Sequence, residues 1–315
     1  MNESRFLNGK KLFLTGGTGF FGKNLLQLLE QEHSTVEITL LSRNPERFDK
    51  TYSHFRNNLN ITFLKGEIRS FSFPTETFDY IIHGATEADA VMIREQPQEM
   101  YSVIVDGTRH LLELASRSPS ARLLYLSSGA VYGPQPETIP FLPETYQGIP
   151  GNAYGKGKLE AEKLCLNSNT TCCIARCFAF SGAYLPLNKH YAIGNFVADA
   201  LAQRPILIKG DGKTIRSYLD SRDLSRWLLT LLQNAPDREI FNIGSDRPIS
   251  IRDLAEMVRN ISGTPFPIIV QKEWNGCPPD RYLPDLSKAK SFGLQQLITL
   301  EQSIEEMLHP RLEDR

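Results

Sequence analysis

The chain lacks a charge excess of either sign. Against 35 lysines and arginines stand 36 aspartates and glutamates, a formal net charge of -1 over 315 residues. No basic surplus exists to hold a nucleic-acid backbone or an anionic membrane. Cysteine is scarce, at five residues (Cys165, Cys172, Cys173, Cys177 and Cys277). An odd count without framework spacing argues against a secreted disulfide scaffold, and no Cys-x-x-Cys pair or Cys/His cluster suggests a metal site. Cys172, Cys173 and Cys177 fall in an apolar run and are expected to be buried strand thiols. No apolar stretch approaches the length of a bilayer span. The first eight residues lack the charged start and apolar core of a secretory leader. A cytoplasmic protein is the expectation. Internal repeats and low-complexity tracts are missing too.

What remains is ordinary globular composition, 41% hydrophobic and 23% charged, enough for one large core and a smaller lobe. Short β-branched or apolar runs at Lys11–Leu14, Val36–Leu41, Ile61–Leu64, Tyr80–His83, Arg122–Ser127 and Thr171–Cys177 read as strands. Helical patterns at Asn24–Leu29, Gln98–Arg117 and Tyr154–Leu166 fall between them. Such alternation predicts parallel strands with right-handed crossovers: an α/β, doubly wound Rossmann sheet. The polar, aperiodic stretch from Lys50 to Asn60 gives no clear helix. The second half is broken by prolines such as Pro186, Pro205, Pro248, Pro278, Pro279 and Pro284. Helices are expected there at Asn195–Ala202, Ser221–Gln233, Ile251–Asn260 and Leu300–Leu308. The predicted division is residues 1–180 as a dinucleotide-binding domain, with part of 215–245 returning to it, and 181–315 as mainly a substrate-binding lobe.

The first strand runs into Thr15-Gly16-Gly17-Thr18-Gly19-Phe20-Phe21-Gly22. Gly16 permits the tight turn, Gly19 lets backbone approach a pyrophosphate, and Gly22 lets helix pack on strand. The helix N-terminus favours phosphate, so Gly16, Thr18, Gly19, Phe20, Phe21 and Gly22 are expected to line a dinucleotide. The second strand ends in Ser42-Arg43, with no carboxylate to repel a 2′-phosphate, and Arg43 can pair with one. NADP(H) is therefore favoured, with NAD(H) possible.

Tyr154 and Lys158 form a YxxxK spacing, and residues four apart share a helix face. A lysine ammonium favours the phenolate of a tyrosine whose free pKa is too high for proton exchange at neutral pH. Tyr154 can then give or take a proton as hydride moves, and Lys158 can reach a cofactor ribose. Ser128, at the carboxyl end of the fifth strand, can orient a carbonyl or hydroxyl beside it.

Together TGGTGFFG from Thr15, LSSGAVYG from Leu126 and YGKGK from Tyr154 resemble the extended short-chain dehydrogenase/reductases, specifically the NAD(P)-dependent nucleotide-sugar epimerase/dehydratase family. The resemblance continues through Gly210-Asp211-Gly212, Asp220 to Leu224, Asn242-Ile243-Gly244-Ser245 and Pro284 to Ala289. It implies catalytic roles for Ser128, Tyr154 and Lys158. It places Glu67 and Ile68 near the adenine and Gly84, Ala85 and Thr86 along the cofactor. It implies that Arg216 and Arg281, with Asn195 as a weaker candidate, hold a sugar nucleotide's diphosphate, and it implies a homodimer through the helix bearing YxxxK and the one before it. Family 4,6-dehydratases carry an Asp-Glu pair where this chain has Gly129 and Ala130, which argues against conventional 4,6-dehydration. The Asn common in the family after the sixth strand is Ala179 here, a departure in the loop expected to contact substrate. The intact Ser128, Tyr154 and Lys158, Ser42-Arg43 and the missing Asp-Glu pair favour NADP(H)-dependent reduction of a 4-keto-6-deoxy sugar nucleotide, with an epimerase that retains NAD, or a non-catalytic dinucleotide-binding protein, as alternatives.

Overall fold

A computed structural model describes residues 3–86, 90–187, 189 and 191–309. The chain divides into two compact units: residues 1–131, 150–177 and 225–241 form the first, and 132–149, 178–224 and 242–315 the second.

In the first unit β1 (Lys11–Thr15) leads into α1 (Phe20–Gln31), then β2 (Glu37–Ser42), α2 (Pro45–Thr51), α3 (Ser53–Asn58) and β3 (Asn60–Lys65). Next come β4 (Tyr80–His83), α4 (Ala90–Glu95), α5 (Pro97–Ser116), β5 (Arg122–Ser128), α6 (Ala153–Leu166) and β6 (Thr171–Cys177). The chain re-enters through the latter part of α8 (Ser221–Asn234) and the start of β11 (Glu239–Ile243). The sheet has seven strands in the order β11-β6-β5-β4-β1-β2-β3. Pairings of β1 with β2 and β4, and of β5 with β4 and β6, are parallel. After Lys11, β1 is buried at every position, which is what a strand covered on both faces requires. One core holds Phe13, Ile81, Leu123, Tyr125 and Ile174 against Ile104, Leu111 and Leu114 of α5 and Ala161 and Cys165 of α6. α6 reads as a charged helix, yet its buried stripe is Gly155, Gly157, Lys158, Ala161, Glu162 and Cys165. The small members let α5 approach: a Cβ on Gly157 would stand 3.2 Å from Ile104.

Strand order reverses at β1. The chain proceeds outward from β1 to β2 and β3, then returns to place β4 on the other side of β1. The carboxyl ends of β1 and β4 thus flank the switch point at which open α/β sheets bind ligands.

The second unit contains β7 (Phe180–Ser181), α7 (Ala192–Leu201), β8 (Ile206–Ile208), β9 (Ile215–Arg216) and β10 (Leu219–Asp220). α8 (Ser221–Asn234) and β11 (Glu239–Ile243) cross between units, and β12 (Ile249–Ser250), α9 (Ile251–Ser262), β13 (Ile268–Val270), α10 (Ser287–Ser291) and α11 (Leu300–Leu308) complete it. Its sheets are two-stranded pairs, β10-β7, β12-β9 and β13-β8.

Several expectations need correction. Residues 132–149, assigned above to the first domain, cluster with the second unit because their partners lie there. Leu142 bridges Pro284, the Gln135 side chain accepts from Leu283 N–H at 2.9 Å, and Glu144 accepts from Asn242 N–H at 2.8 Å. The aperiodic stretch after β2 holds two short helices. α2 starts on an Asn44 side chain that accepts from Arg47 N–H at 3.0 Å, with Pro45 in its first turn. α7 begins at Ala192, three residues before the expected start, so Asn195 sits within its first turn. Cys165, Cys172, Cys173 and Cys177 are buried free thiols, and Cys277 is exposed. No described helix is long and apolar enough to cross a membrane.

Candidate active site

The glycine turn sits at the carboxyl end of β1. Gly16 has φ +75°, and a Cβ there would stand 2.5 Å from the Gly84 carbonyl group. Only hydrogen allows the β1 and β4 loops to meet this closely. A Cβ on Gly22 would lie 2.2 Å from the Gly17 Cα, so the first turn of α1 rests directly on the loop. Gly19 is the N-cap of α1 and has no side chain to occupy its own helix terminus. Gly19 N–H donates to the Gly16 carbonyl at 3.0 Å. Thr18, Phe20 and Phe21 are half-buried beside it, the two rings 5.4 Å apart. The turn therefore offers a side-chain-free helix N-terminus at a switch point, and these residue types fit a dinucleotide.

Gly84 and Ala85 are held against this turn by Thr15. Its hydroxyl accepts from Gly84 N–H and Ala85 N–H, both at 3.1 Å, and lies 2.8 Å from His83 Nδ1. His83 Nε2 is 3.1 Å from the Thr108 hydroxyl, which itself donates to the Ile104 carbonyl at 2.7 Å. Thr108 must then accept from His83 Nε2–H, and Nδ1 accepts from Thr15. This chain needs neutral histidine. Burial, with the nearby Lys158 charge, pulls His83 down to about 3. Thr86 closes the loop, its N–H donating to the Gly84 carbonyl at 2.8 Å.

Ser42 ends β2 and Arg43 follows it, Ser42 buried and Arg43 exposed. Ser42 Oγ accepts from Asn44 N–H at 3.2 Å. Gly66 N–H donates to the Ser42 carbonyl at 3.0 Å, so Glu67 follows directly beside the β2 terminus. The Glu67 carboxylate accepts from Arg69 N–H at 3.0 Å and pairs with its guanidinium at 3.1 Å. Ile68 is buried under α5, 2.9 Å from where a Gly107 Cβ would be.

Ser128 is the last residue of β5, and Gly129 and Ala130 follow in a tight 3-10 turn. Ser128 Oγ accepts from Ala130 N–H at 3.2 Å. Tyr154 stands in the first turn of α6, whose N-cap Asn152 accepts from Gly155 N–H at 2.9 Å. Lys158 is one turn further on, only 3% exposed. Its Nζ donates to the Leu126 carbonyl at 2.8 Å and lies 5.8 Å from the Tyr154 ring centre and 5.0 Å from that of Tyr125. Burial pulls the Lys158 ammonium down to about 8, against the opposing pull of Cys177 and Glu162. Tyr154, Lys158 and the end of β5 are thus brought together in the first unit. Sequence reasoning missed His83, Thr15 and Thr108. The available signal was a histidine closing a parallel strand just before a Gly-Ala loop.

The remaining candidates belong to the second unit. Arg216 lies on β9, and its neighbour Ile215 bridges Arg281, which sets the two arginines on adjacent backbone. The Arg216 guanidinium pairs with Asp280 at 3.0 Å and sits 5.7 Å from the Tyr282 ring centre. Asn195, on α7, is part of the helix ladder, its N–H donating to the Tyr191 carbonyl at 3.0 Å. Among the described residues no group of acidic, histidine and cysteine side chains could hold a metal ion.

Residues 12–244 match the model of the NAD dependent epimerase/dehydratase family. UDP-glucuronic acid decarboxylase 2 from Arabidopsis thaliana is 30% identical over 306 residues, covering 94% of this chain and 67% of that protein. UDP-glucose 4-epimerase from Halalkalibacterium halodurans is 27% identical over 296 residues, 85% of each chain. Among solved structures, an epimerase from Methanothermobacter thermautotrophicus superposes with a TM-score of 0.82 at 24% identity, over 98% of this chain and 94% of that one. The chain belongs to the NAD-dependent epimerase/dehydratase family and is an enzyme of the extended short-chain dehydrogenase/reductase type.

Proposed function

We propose that the protein is an NADP(H)-dependent oxidoreductase that reduces a 4-keto-6-deoxy sugar carried on a nucleoside diphosphate. The observation that carries this reading is the juxtaposition of Tyr154 with a buried Lys158, whose Nζ is 5.8 Å from the phenol ring. Both stand beside the carboxyl end of β5, where Ser128 sits. The switch-point glycine turn and the Gly84–Thr86 loop would hold the dinucleotide, with Ser42 and Arg43 meeting a 2′-phosphate. When bound, the nicotinamide supplies the hydride.

The chain's own residues handle the proton. Ser128 already accepts from Ala130 N–H, so its O–H is set to donate to the substrate carbonyl oxygen. Tyr154 gives its phenolic proton to the same oxygen as charge develops there. Lys158 stabilises the resulting phenolate. An ammonium carries three donors, and one bond to the Leu126 carbonyl leaves others for the phenolate and a ribose hydroxyl. Gly129 and Ala130 bring no carboxylate to the turn after Ser128, which disfavours elimination of water. Arg216 and Arg281 supply cationic partners for the diphosphate.

A second reading, an epimerase that retains NAD, draws support from relatives named UDP-glucuronic acid decarboxylase and UDP-glucose 4-epimerase. The two readings part on one experiment. Purified protein is analysed by mass spectrometry for bound dinucleotide, then mixed with NADPH and dTDP- or CDP-4-keto-6-deoxyglucose. Loss of the reduced-nicotinamide absorbance, with no NAD carried through purification, is expected. Retained NAD and no NADPH consumption would overturn the reductase reading in favour of the epimerase.

A further inference from the structure

Glu162 is one turn beyond Lys158 on α6 and is 1% exposed. A carboxylate buried this deeply costs several kcal/mol unless it is fully paired. Arg176 Nη2 reaches its Oε2 at 2.7 Å and Arg176 Nε its Oε1 at 3.0 Å. The Ser127 hydroxyl donates to Oε1 as well. Ser127 and Arg176 are register partners on β5 and β6, so both side chains leave the sheet on the α6 side. One carboxylate therefore ties together three elements.

Those ties bracket the proton-transfer site. Ser127 is bonded directly to Ser128. Lys158 grips the Leu126 carbonyl one residue earlier in β5, at 2.8 Å. The end of β5 is held to α6 at two points, one helical turn apart. Stability alone does not call for this, because a well-packed apolar trio would serve as well or better. The groups around Lys158 include Glu162, Cys165 and Tyr154 from α6, Cys177 and the Glu162 partner Arg176 from β6, Tyr125 from β5 and His83 from β4. Of these Glu162 is the only carboxylate.

We infer that Ser127, Glu162 and Arg176 form a positioning network that sets the spacing of Ser128 from Tyr154 and Lys158. This inference rests on the proton-transfer reading proposed above. Glu162 and Arg176 act through Lys158 and the β5 terminus rather than on substrate.

The test follows the Lys158 Nζ signal by 15N-lysine NMR through a pH titration of the protein without added ligand, with Lys158→Met assigning the peak. Glu162→Gln/Arg176→Gln replaces the ion pair by a neutral hydrogen-bonded pair. The Lys158 midpoint is expected to move by about half a pH unit or more as the network that holds the β5 terminus against α6 loses its ion pair. Ser127→Ala leaves the ion pair intact, so it decides the geometric half even if the double variant does not fold. With NADPH and dTDP-4-keto-6-deoxyglucose its kcat is expected to drop about tenfold at unchanged cofactor Kd, and Ser127→Thr, which restores a hydroxyl, to recover it. A Lys158 titration that does not move in the folded double variant, or a Ser127→Ala enzyme with wild-type kcat, overturns the network. Tyr154→Phe run alongside separates the two layers. Full activity there removes the proton-transfer reading itself, whereas an inactive Tyr154→Phe beside an unaffected network removes only this inference.

Discussion

Single methyl groups added to the glycine turn should separate holding the fold from holding the cofactor. A Cβ on Gly22 would meet the Gly17 Cα at 2.2 Å and its carbonyl atoms at 2.5 Å. Backbone cannot rotate aside as a side chain does, so α1 must shift by more than an ångström. Overpacking of this kind costs about 3 kcal/mol, and the better helix propensity of alanine returns about 1 kcal/mol. The net loss, about 2 kcal/mol, lowers the thermal midpoint by roughly 3 °C in a chain of this size. Gly19 differs. It has extended backbone at φ -89°, and its Cβ would meet only the Gly16 carbonyl oxygen, at 3.3 Å. Gly19→Ala should cost about 1 kcal/mol as a poorer N-cap, while its methyl stands where a pyrophosphate must approach. Dinucleotide affinity, measured by fluorescence titration with NADPH and with NADH, should fall at least about tenfold, or 1.4 kcal/mol. Wild-type affinity in Gly19→Ala, or an unshifted melting curve in Gly22→Ala, would refute the reasoning.

Three more outcomes are expected. Tyr154→Phe keeps the ring packing and removes the proton, so kcat should fall about 10²–10⁴-fold with dinucleotide affinity little changed, measured by steady-state kinetics and titration. Arg43→Ala should weaken NADP(H) binding by about tenfold and spare NAD(H), since only a 2′-phosphate gains from a guanidinium; equal losses for both cofactors would count against an NADP(H) site. His83 holds its proton near pH 3 when folded and near 6.5 when unfolded. The unfolded chain therefore binds more protons between those values, and stability complete above about pH 6.5 should decline as pH drops, by roughly 1.4 kcal/mol per pH unit. Urea unfolding at pH 7 and pH 5 measures this, and His83→Gln should flatten the slope; parallel slopes for both proteins would remove the assignment.

Much of the first unit could be read from local pattern because its signals are local. The glycine turn, the YxxxK spacing and the alternation of strand and helix each occupy a few consecutive residues. The structure puts Gly16 against Gly84, and Tyr154 and Lys158 on one face of α6. What escaped was decided by distant partners. Residues 132–149 join the second unit through Leu142, Gln135 and Glu144, whose partners lie about a hundred or more positions away. α2 and α3 are too short to show a period, and α2 depends on the Asn44 cap. Lys158 and Glu162 look like solvated charges on a polar helix, and only the facing Arg176, Ser127 and Leu126 explain their burial. His83 reads as a plain strand residue until Thr15 and Thr108 close on its two nitrogens.

The re-entry of residues 225–241 into the first unit has a consequence during synthesis. β6 ends at Cys177, but its outer neighbour β11 starts only at Glu239. A clamp from β5 is equally late: Arg122 donates to the carbonyls of Leu232, at 2.9 Å, and of Ala235, at the end of α8. While the ribosome makes the intervening stretch, β6 is a bare edge carrying Cys172, Cys173 and Ile174, an apolar template for a second nascent strand. Translation speed between codons 178 and 243 should therefore govern how much chain reaches the soluble pool, and crowded polysomes are where losses to aggregation would concentrate.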